Sequence, residues 1–263
     1  MSISLQDKVA VITGASSGIG KETALAFARE KSTVVLASRN EQKLKELAEE
    51  IKNENANVLV IKTDVSKQED IENLVKKTMD TYGKIDILVN NAGFGIHASV
   101  EDTPVKDMQD IVDTNFMGPY YAMRLVVPIM KKQGFGRIMN VSSVIGKRGI
   151  GFSSAYCASK FALIGLTESV QVELRNSPVK VSTICPGLTD TNFGFNMREP
   201  VRESKENTWA NGVPALKVAR AIVRCAKNPK REVYISWYDH AMVYVNALCP
   251  GFIEWILSIY RQK

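Results

Sequence analysis

The 263-residue chain is poor in the groups that build metal and disulfide frameworks, with four cysteines and two histidines. Cys157, Cys185, Cys225 and Cys249 are scattered, with no C-x-x-C pair and no histidine cluster beside them. That argues against a zinc site or disulfide scaffold, so no metal is expected. A chain of this length buries enough surface to fold without such staples. Unpaired cysteines fit a reducing, cytoplasmic compartment. Residues 1–8 contain no apolar core, which predicts no secretory signal. The long apolar stretch 241–260 is interrupted by Asn246, Pro250-Gly251 and Glu254. A helix does not run easily through Pro-Gly, and a spanning helix needs ~20 apolar residues, so no membrane span is expected. Charge clustering is lacking too. The net charge is +6 and the pI about 9.0, but bases alternate with acids, as in Glu41-Gln42-Lys43-Leu44-Lys45-Glu46. This is the pattern of a solvated surface and not of a nucleic-acid footprint. No Pro/Gly/Ser-rich linker and no long repeat divides the chain, so one domain over 1–263 is expected.

What is present is an alternation. Apolar, β-rich runs at 9–13, 34–37, 58–62, 85–90, 137–142, 179–184 and 232–235 are separated by helical periods. Most runs are continuously apolar at their centres, as parallel strands covered on both faces must be. Leu44, Leu47, Ala48 and Ile51, and again Ile71, Leu74, Val75 and Met79, follow the i, i+3, i+4 rule. Strand and helix alternating in this way predict an α/β fold: a doubly wound parallel sheet of seven strands with helices on both faces.

The first strand runs into Thr13-Gly14-Ala15-Ser16-Ser17-Gly18-Ile19-Gly20 and then a helix. Glycines there let the backbone turn tightly and approach a pyrophosphate, which the helix N-terminus attracts. The second strand ends at Ser38-Arg39-Asn40. An NAD-selective site would place an acid there for the ribose 2′-hydroxyl. Arg39 instead suits a 2′-phosphate, which a guanidinium pairs bidentately. The expected cofactor is NADP(H).

Tyr156-Cys157-Ala158-Ser159-Lys160 puts a phenol and an ammonium on one helix face. Lowering a phenol from ~10 to ~7 takes roughly 4 kcal/mol, and a neighbouring ammonium contributes to that. Ser143, at the end of the fifth strand, offers a hydroxyl to a substrate carbonyl. Asn90-Asn91-Ala92-Gly93 ends the fourth strand, on the side where open α/β sheets gather ligands. Asn115 is an awkward residue for a helix interior and is expected to open the helix locally beside Lys160.

With these motifs in order, the sequence resembles the short-chain dehydrogenase/reductase family over nearly its whole length. The resemblance rests on T-G-A-S-S-G-I-G, N-N-A-G, Asn115, Ser143, Y-C-A-S-K and Pro186-Gly187. It implies a Rossmann fold and a catalytic tetrad of Asn115, Ser143, Tyr156 and Lys160. Tyr156 would be the general acid/base and Ser143 would polarise the carbonyl. Lys160 would bind the nicotinamide ribose and lower the Tyr156 pKa, and Asn115 would hold a relay water. The same resemblance implies cofactor contacts from Gly14, Ser16, Ser17, Gly18, Ile19 and Gly20 and from Ser38, Arg39 and Asn40. It adds Asp64 and Val65 at the adenine, Asn91, Ala92 and Gly93 at the adenosine ribose, and Pro186, Gly187, Thr189 and Thr191 at the carboxamide. Thr189 departs from the Val or Ile common at its place. Ser38-Arg39 resembles the NADP-preferring subgroup.

Substrate contacts are expected from a lid at about 188–211, which holds Phe193, Phe195, Met197 and Trp209 beside Arg198, Glu199, Arg202 and Glu203. Its aromatics suggest an apolar carbonyl or alcohol. The tail at about 241–263, with Trp255, Tyr260, Arg261 and Lys263, resembles tails in the branch related to 11β-hydroxysteroid dehydrogenase and dehydrogenase/reductase member seven. Membrane-surface contact, a subunit interface and core packing all remain open for it. A homodimer or homotetramer is expected. The reading is an NADP(H)-dependent carbonyl–alcohol oxidoreductase. NAD-linked alcohol oxidation, a nucleotide-sensing scaffold and a membrane-surface protein are its rivals.

Overall fold

The computed structural model describes residues 3–191, 193, 197–198 and 212–260, with side chains up to 255. Phe195, Glu199, Arg202, Glu203 and Trp209 of the expected lid lie outside the described residues. So do Arg261 and Lys263 of the tail and the side chain of Tyr260.

Seven parallel strands form one sheet: β1 (Val9–Thr13), β2 (Thr33–Ser38), β3 (Val58–Lys62), β4 (Ile87–Asn90), β5 (Gly136–Val141), β6 (Val179–Cys185) and β7 (Glu232–Tyr234). Their order is β3-β2-β1-β4-β5-β6-β7. The expected fold is therefore the observed one, a seven-stranded parallel Rossmann sheet. Period-two alternation within each strand feeds two cores. Ala10 and Ile12 of β1, with Val34 and Leu36 of β2, face one apolar cluster. Val9, Val11, Val35 and Ala37 face the other. The first core is closed by α1 (Gly18–Arg29), α2 (Glu41–Asn53) and α7 (Ala215–Lys227). The second is closed by α3 (Gln68–Tyr82), α5 (Gly118–Gln133) and α6 (Ser154–Glu173). Leu44, Leu47, Ala48 and Ile51 are all buried, as their spacing requires.

The strand order reverses between β1 and β4, so the carboxyl ends of these neighbours diverge into a crevice. Helix α4 (Val105–Val112) follows β4 and passes into α5 through a π-helical turn, Asp113–Met117. The short parallel pair Thr189–Asp190 and Val213–Pro214 anchors the two ends of the lid segment.

The tail forms two helices, α8 (Trp237–Leu248) and α9 (Pro250–Tyr260). The break falls before Pro250, whose missing N–H is tolerated at a helix start. Among the described residues no helix is long and apolar enough to cross a membrane. Core packing, one of the readings left open for the tail, is not what forms. Within α8 and the described side chains of α9 only Asp239 and Ile253 are buried, while Trp237, Leu248, Phe252 and Trp255 are exposed. These helices follow the last edge strand of the sheet.

Candidate active site

The glycine-rich turn is held from below. Gly14 (φ +66°) and Gly18 (φ +53°) lie in the left-handed region that side chains disfavour. A Cβ on Gly14 would also stand 2.8 Å from Ala92 Cα. Asn91 Nδ2 donates to the carbonyls of Thr13 (3.0 Å) and Gly14 (3.3 Å). The backbone N–H groups of Asn91 and Ala92 donate to Thr13 Oγ1. Asn91 therefore shapes the turn as well as lining the cleft. Ser17, at the N-cap of α1, places no side chain across the helix end. The first N–H groups of α1 have no intrahelical partner and are available to an anion. Gly20 does not line the cleft. It is packed against Gly14, where a Cβ would meet the Gly14 carbonyl oxygen at 2.2 Å.

At one end of the cleft, Ser38 Oγ accepts from Asn40 N–H at 3.2 Å, and Asn40 Oδ1 caps α2 by accepting from Lys43 N–H at 3.0 Å. Arg39 and Lys43 both line this end, with Thr63, Asp64 and Val65. Asp64 accepts from the Ser66 hydroxyl at 2.8 Å, which fixes the carboxylate in its loop. Lys43 is a site residue that the sequence reading missed. Its one signal is a place in the first turn of α2, three residues after the capping Asn40.

At the other end, Tyr156 and Lys160 face the cleft from α6, with Ser143 opposite. Lys160 is buried, its ammonium 5.6 Å from the Tyr156 ring centre and donating to the Val141 carbonyl at 3.0 Å. Burial pulls that ammonium down to about 8. Burial also pushes the Tyr156 phenol up, and the Ser143 hydroxyl beside it pulls the other way. The phenol is therefore shifted up by burial, opposite in direction to the lowering expected from Lys160. Ser143 Oγ also donates to the Pro186 carbonyl at 3.3 Å. Pro186 itself does not line the cleft. Its carbonyl ties the end of β5 to the segment after β6, accepting from Val144 N–H as well.

Asn115 sits in the π-helical turn, fully buried and off the cleft wall. The helix does open there, as its residue type suggested. Its Oδ1 accepts from Phe94 N–H at 3.1 Å, and its Nδ2 donates to the Phe94 carbonyl (2.9 Å) and Ser159 Oγ (3.1 Å). The side chain thus fastens the loop after β4 to α6. Gly93 is the close-approach residue here, since a Cβ would lie 2.9 Å from Asn115 Oδ1.

Gly187, Thr189 and Thr191 line the cleft beside Tyr156. Thr189 Oγ1 donates to the Gly187 carbonyl at 3.0 Å, so the departure from Val or Ile is absorbed by a local turn. The Phe193 ring lies 5.6 Å from that of Tyr156. Phe94, Ile145, Ile150 and Met197 complete an apolar wall. Phe94 and Ile150 come from irregular loops and Ile145 from a single 3-10 turn, none of which carries a periodic signal.

The continuous cleft measures about 780 Å³, within the range of cofactor and ligand pockets. A dinucleotide fits it on this chain's own features: a glycine cradle against a helix N-terminus, two cations at one end and a phenol–ammonium pair at the other. Among the described residues no cluster of His, Cys, Asp or Glu could hold a metal.

A crevice at the reversal of strand order is where Rossmann proteins bind nucleotides, and the class defined here is a nucleotide-binding oxidoreductase. More narrowly, the chain belongs to the short chain dehydrogenase family, whose profile matches residues 8–202. It is 39% identical over 257 residues to YxnA of Bacillus subtilis, named an uncharacterized oxidoreductase, covering 97% of this chain and 72% of that one. It is 34% identical over 232 residues to the ketoacyl reductase HetN of Nostoc sp., covering 88% and 79%. A short chain dehydrogenase/reductase from Burkholderia phymatum in complex with NAD superposes with a TM-score of 0.86 at 26% identity, covering 95% and 96%. An alcohol dehydrogenase from the archaeon Thermococcus sibiricus complexed with 5-hydroxy-NADP gives 0.76 at 29%, covering 86% and 95%.

Proposed function

We propose that this chain is an NADP(H)-dependent oxidoreductase that interconverts a carbonyl and a secondary alcohol on an apolar small molecule, with residues 1–263 acting as one domain. The observation that carries the proposal is that Tyr156, Lys160 and Ser143 open into the same cleft as the glycine-rich turn. The bound nicotinamide would give a hydride in reduction and accept one in oxidation. Tyr156 gives its proton to the carbonyl oxygen in reduction and takes it back in oxidation. Burial shifts the Tyr156 phenol up, toward its protonated form, which is the form that donates in reduction. The Ser143 hydroxyl orients the carbonyl. The Lys160 ammonium holds the nicotinamide ribose, and Asn115 fixes the loop and helix that carry these groups.

NADP preference is supported by two cations, Arg39 and Lys43, at the end of the cleft where an NAD-selective site would carry an acid. The same feature supports placement in the NADP-preferring subgroup, and the tail supports the branch related to 11β-hydroxysteroid dehydrogenase. The cytoplasmic assignment rests on four unpaired cysteines. The exposed aromatic face of α8 and α9 supports assembly with a second copy of the chain.

The test is Tyr156→Phe, assayed with NADPH and acetophenone. Removing the proton donor is expected to cut turnover at least ~100-fold while NADPH binding is retained. A variant that turns over like the wild type refutes the assignment.

A further inference from the structure

The rim of the catalytic end is closed by an ion cluster outside the catalytic set. Residue 198 is tied to the loop after β4 by two backbone bonds, Arg198 N–H to the Gly95 carbonyl (3.1 Å) and His97 N–H to the Arg198 carbonyl (3.0 Å). On the far side of that loop, Ala98 N–H donates to the Phe152 carbonyl at 2.8 Å, just ahead of α6. Segment 95–98 thus joins the lid to the start of the catalytic helix. Gly95 packs closely here: a Cβ would meet the end of the Met197 side chain at 2.8 Å and the Phe193 ring at 3.2 Å.

The Arg198 side chain turns onto α4. It pairs with Asp107 and, at 2.8 Å, with Asp110, while its guanidinium lies 4.7 Å from the Phe94 ring centre. Lys106 shares Asp110. Two cations and two carboxylates therefore close on one another. Among the described residues lining the cleft, the cations are Arg39, Lys43, Lys160 and Arg198. The first two are at the far end, and Lys160 is committed beneath Tyr156. Among the described residues, Arg198 is the cation at the catalytic end placed to meet an anionic group on an incoming substrate, and it is already paired with Asp107 and Asp110.

We propose that Arg198 is a specificity-determining residue of the carbonyl site. Its guanidinium, neutralised by Asp107 and Asp110, seals an apolar mouth that admits an uncharged carbonyl compound and rejects one bearing a carboxylate. This rests on the carbonyl–alcohol reading above and names the substrate class for it. A carboxylate entering this mouth has to shed water beside Phe94, Phe193 and Met197 and meets a guanidinium already paired with Asp107 and with Asp110, the latter shared with Lys106.

The experiment compares acetophenone with 4-acetylbenzoate, the same ketone with and without an anion. Each is titrated by calorimetry into the complex of the full chain with NADP⁺, which cannot reduce it, so binding is read apart from turnover. The expected result is at least ~10-fold tighter binding of acetophenone to the wild type. In Asp107→Asn/Asp110→Asn, which frees Arg198, that preference narrows at least ~5-fold through tighter 4-acetylbenzoate binding. Adding Arg198→Met to this variant abolishes the gain. Asp107→Asn alone gives a smaller change of the same sign should the double variant fold poorly. Equal binding of the two ketones to the wild type overturns the proposal, as does an unchanged preference in the folded Asn variants. The preceding NADP⁺ titration is read separately. A chain that binds no NADP⁺ overturns the function reading, and this inference falls with it.

Discussion

Lys160 is 4% exposed, and its ammonium donates to the Val141 carbonyl. Burial of a cation disfavours its charged form, which is why its folded pKa falls from 10.5 to about 8. The unfolded chain then binds more protons than the folded one between pH 8 and 10.5, so this residue makes stability rise with pH across that window. Below pH 8 the full destabilisation is present. Lys160→Met lacks it at every pH. The stability of Lys160→Met relative to the wild type is therefore expected to be greatest at pH 6–7 and to shrink as pH rises toward 10, while its activity is lost. Paired thermal melts across that range check this, and a flat difference would show that the ammonium is not desolvated as described. At this scale the sequence disclosed which residues meet, because i and i+4 share a helix face. It did not disclose the direction of the Tyr156 shift, because burial depends on Phe193 and on loops that no local pattern places.

Elements were legible wherever periodicity was strong. The continuous apolar runs became strands, and the 3.6-residue pattern of α2 became its buried face. The misses lie at edges. β4 begins at Ile87, two residues later than its apolar run suggests, because Ile85 and Asp86 are used by neighbours: Gln133 accepts from Ile85 N–H, and Asp86 accepts from Val9 N–H. β5 stops at Val141, which places Ser142 and Ser143 just past the strand, where both line the cleft. Helices α8 and α9 were legible as apolar, but their surroundings were not. Leu248 and Phe252 stand 79% and 52% exposed, which is surface that a stable monomer seldom leaves open. Full-length chain is expected to sediment as a dimer or tetramer, and Leu248→Glu/Phe252→Glu as a smaller species with its fold intact. Unchanged sedimentation together with lost binding to anionic vesicles would instead assign this face to a membrane surface.

At the scale of the whole molecule, the cleft lies between the two halves of the sheet. Its walls come from the ends of β1, β2 and β3 on one side and from β4, β5, α6 and the segment after β6 on the other. A ligand that fills it bridges both halves, so binding stabilises the folded state as a unit and not one loop. At a concentration 100 times Kd, that linkage contributes about 2.7 kcal/mol, or roughly 5–10 °C in Tm for a chain of this size. Cofactor preference is then readable from melting alone. If Arg39 and Lys43 grip a 2′-phosphate, NADPH raises Tm more than NADH at equal concentration. A tenfold difference in affinity corresponds to about 1.4 kcal/mol, or roughly 3–5 °C. Arg39→Ala should narrow that gap by reducing the NADPH shift more than the NADH shift. Equal shifts from NADPH and NADH in the wild type would remove the argument from Arg39 and turn the search toward NAD-linked alcohol oxidation.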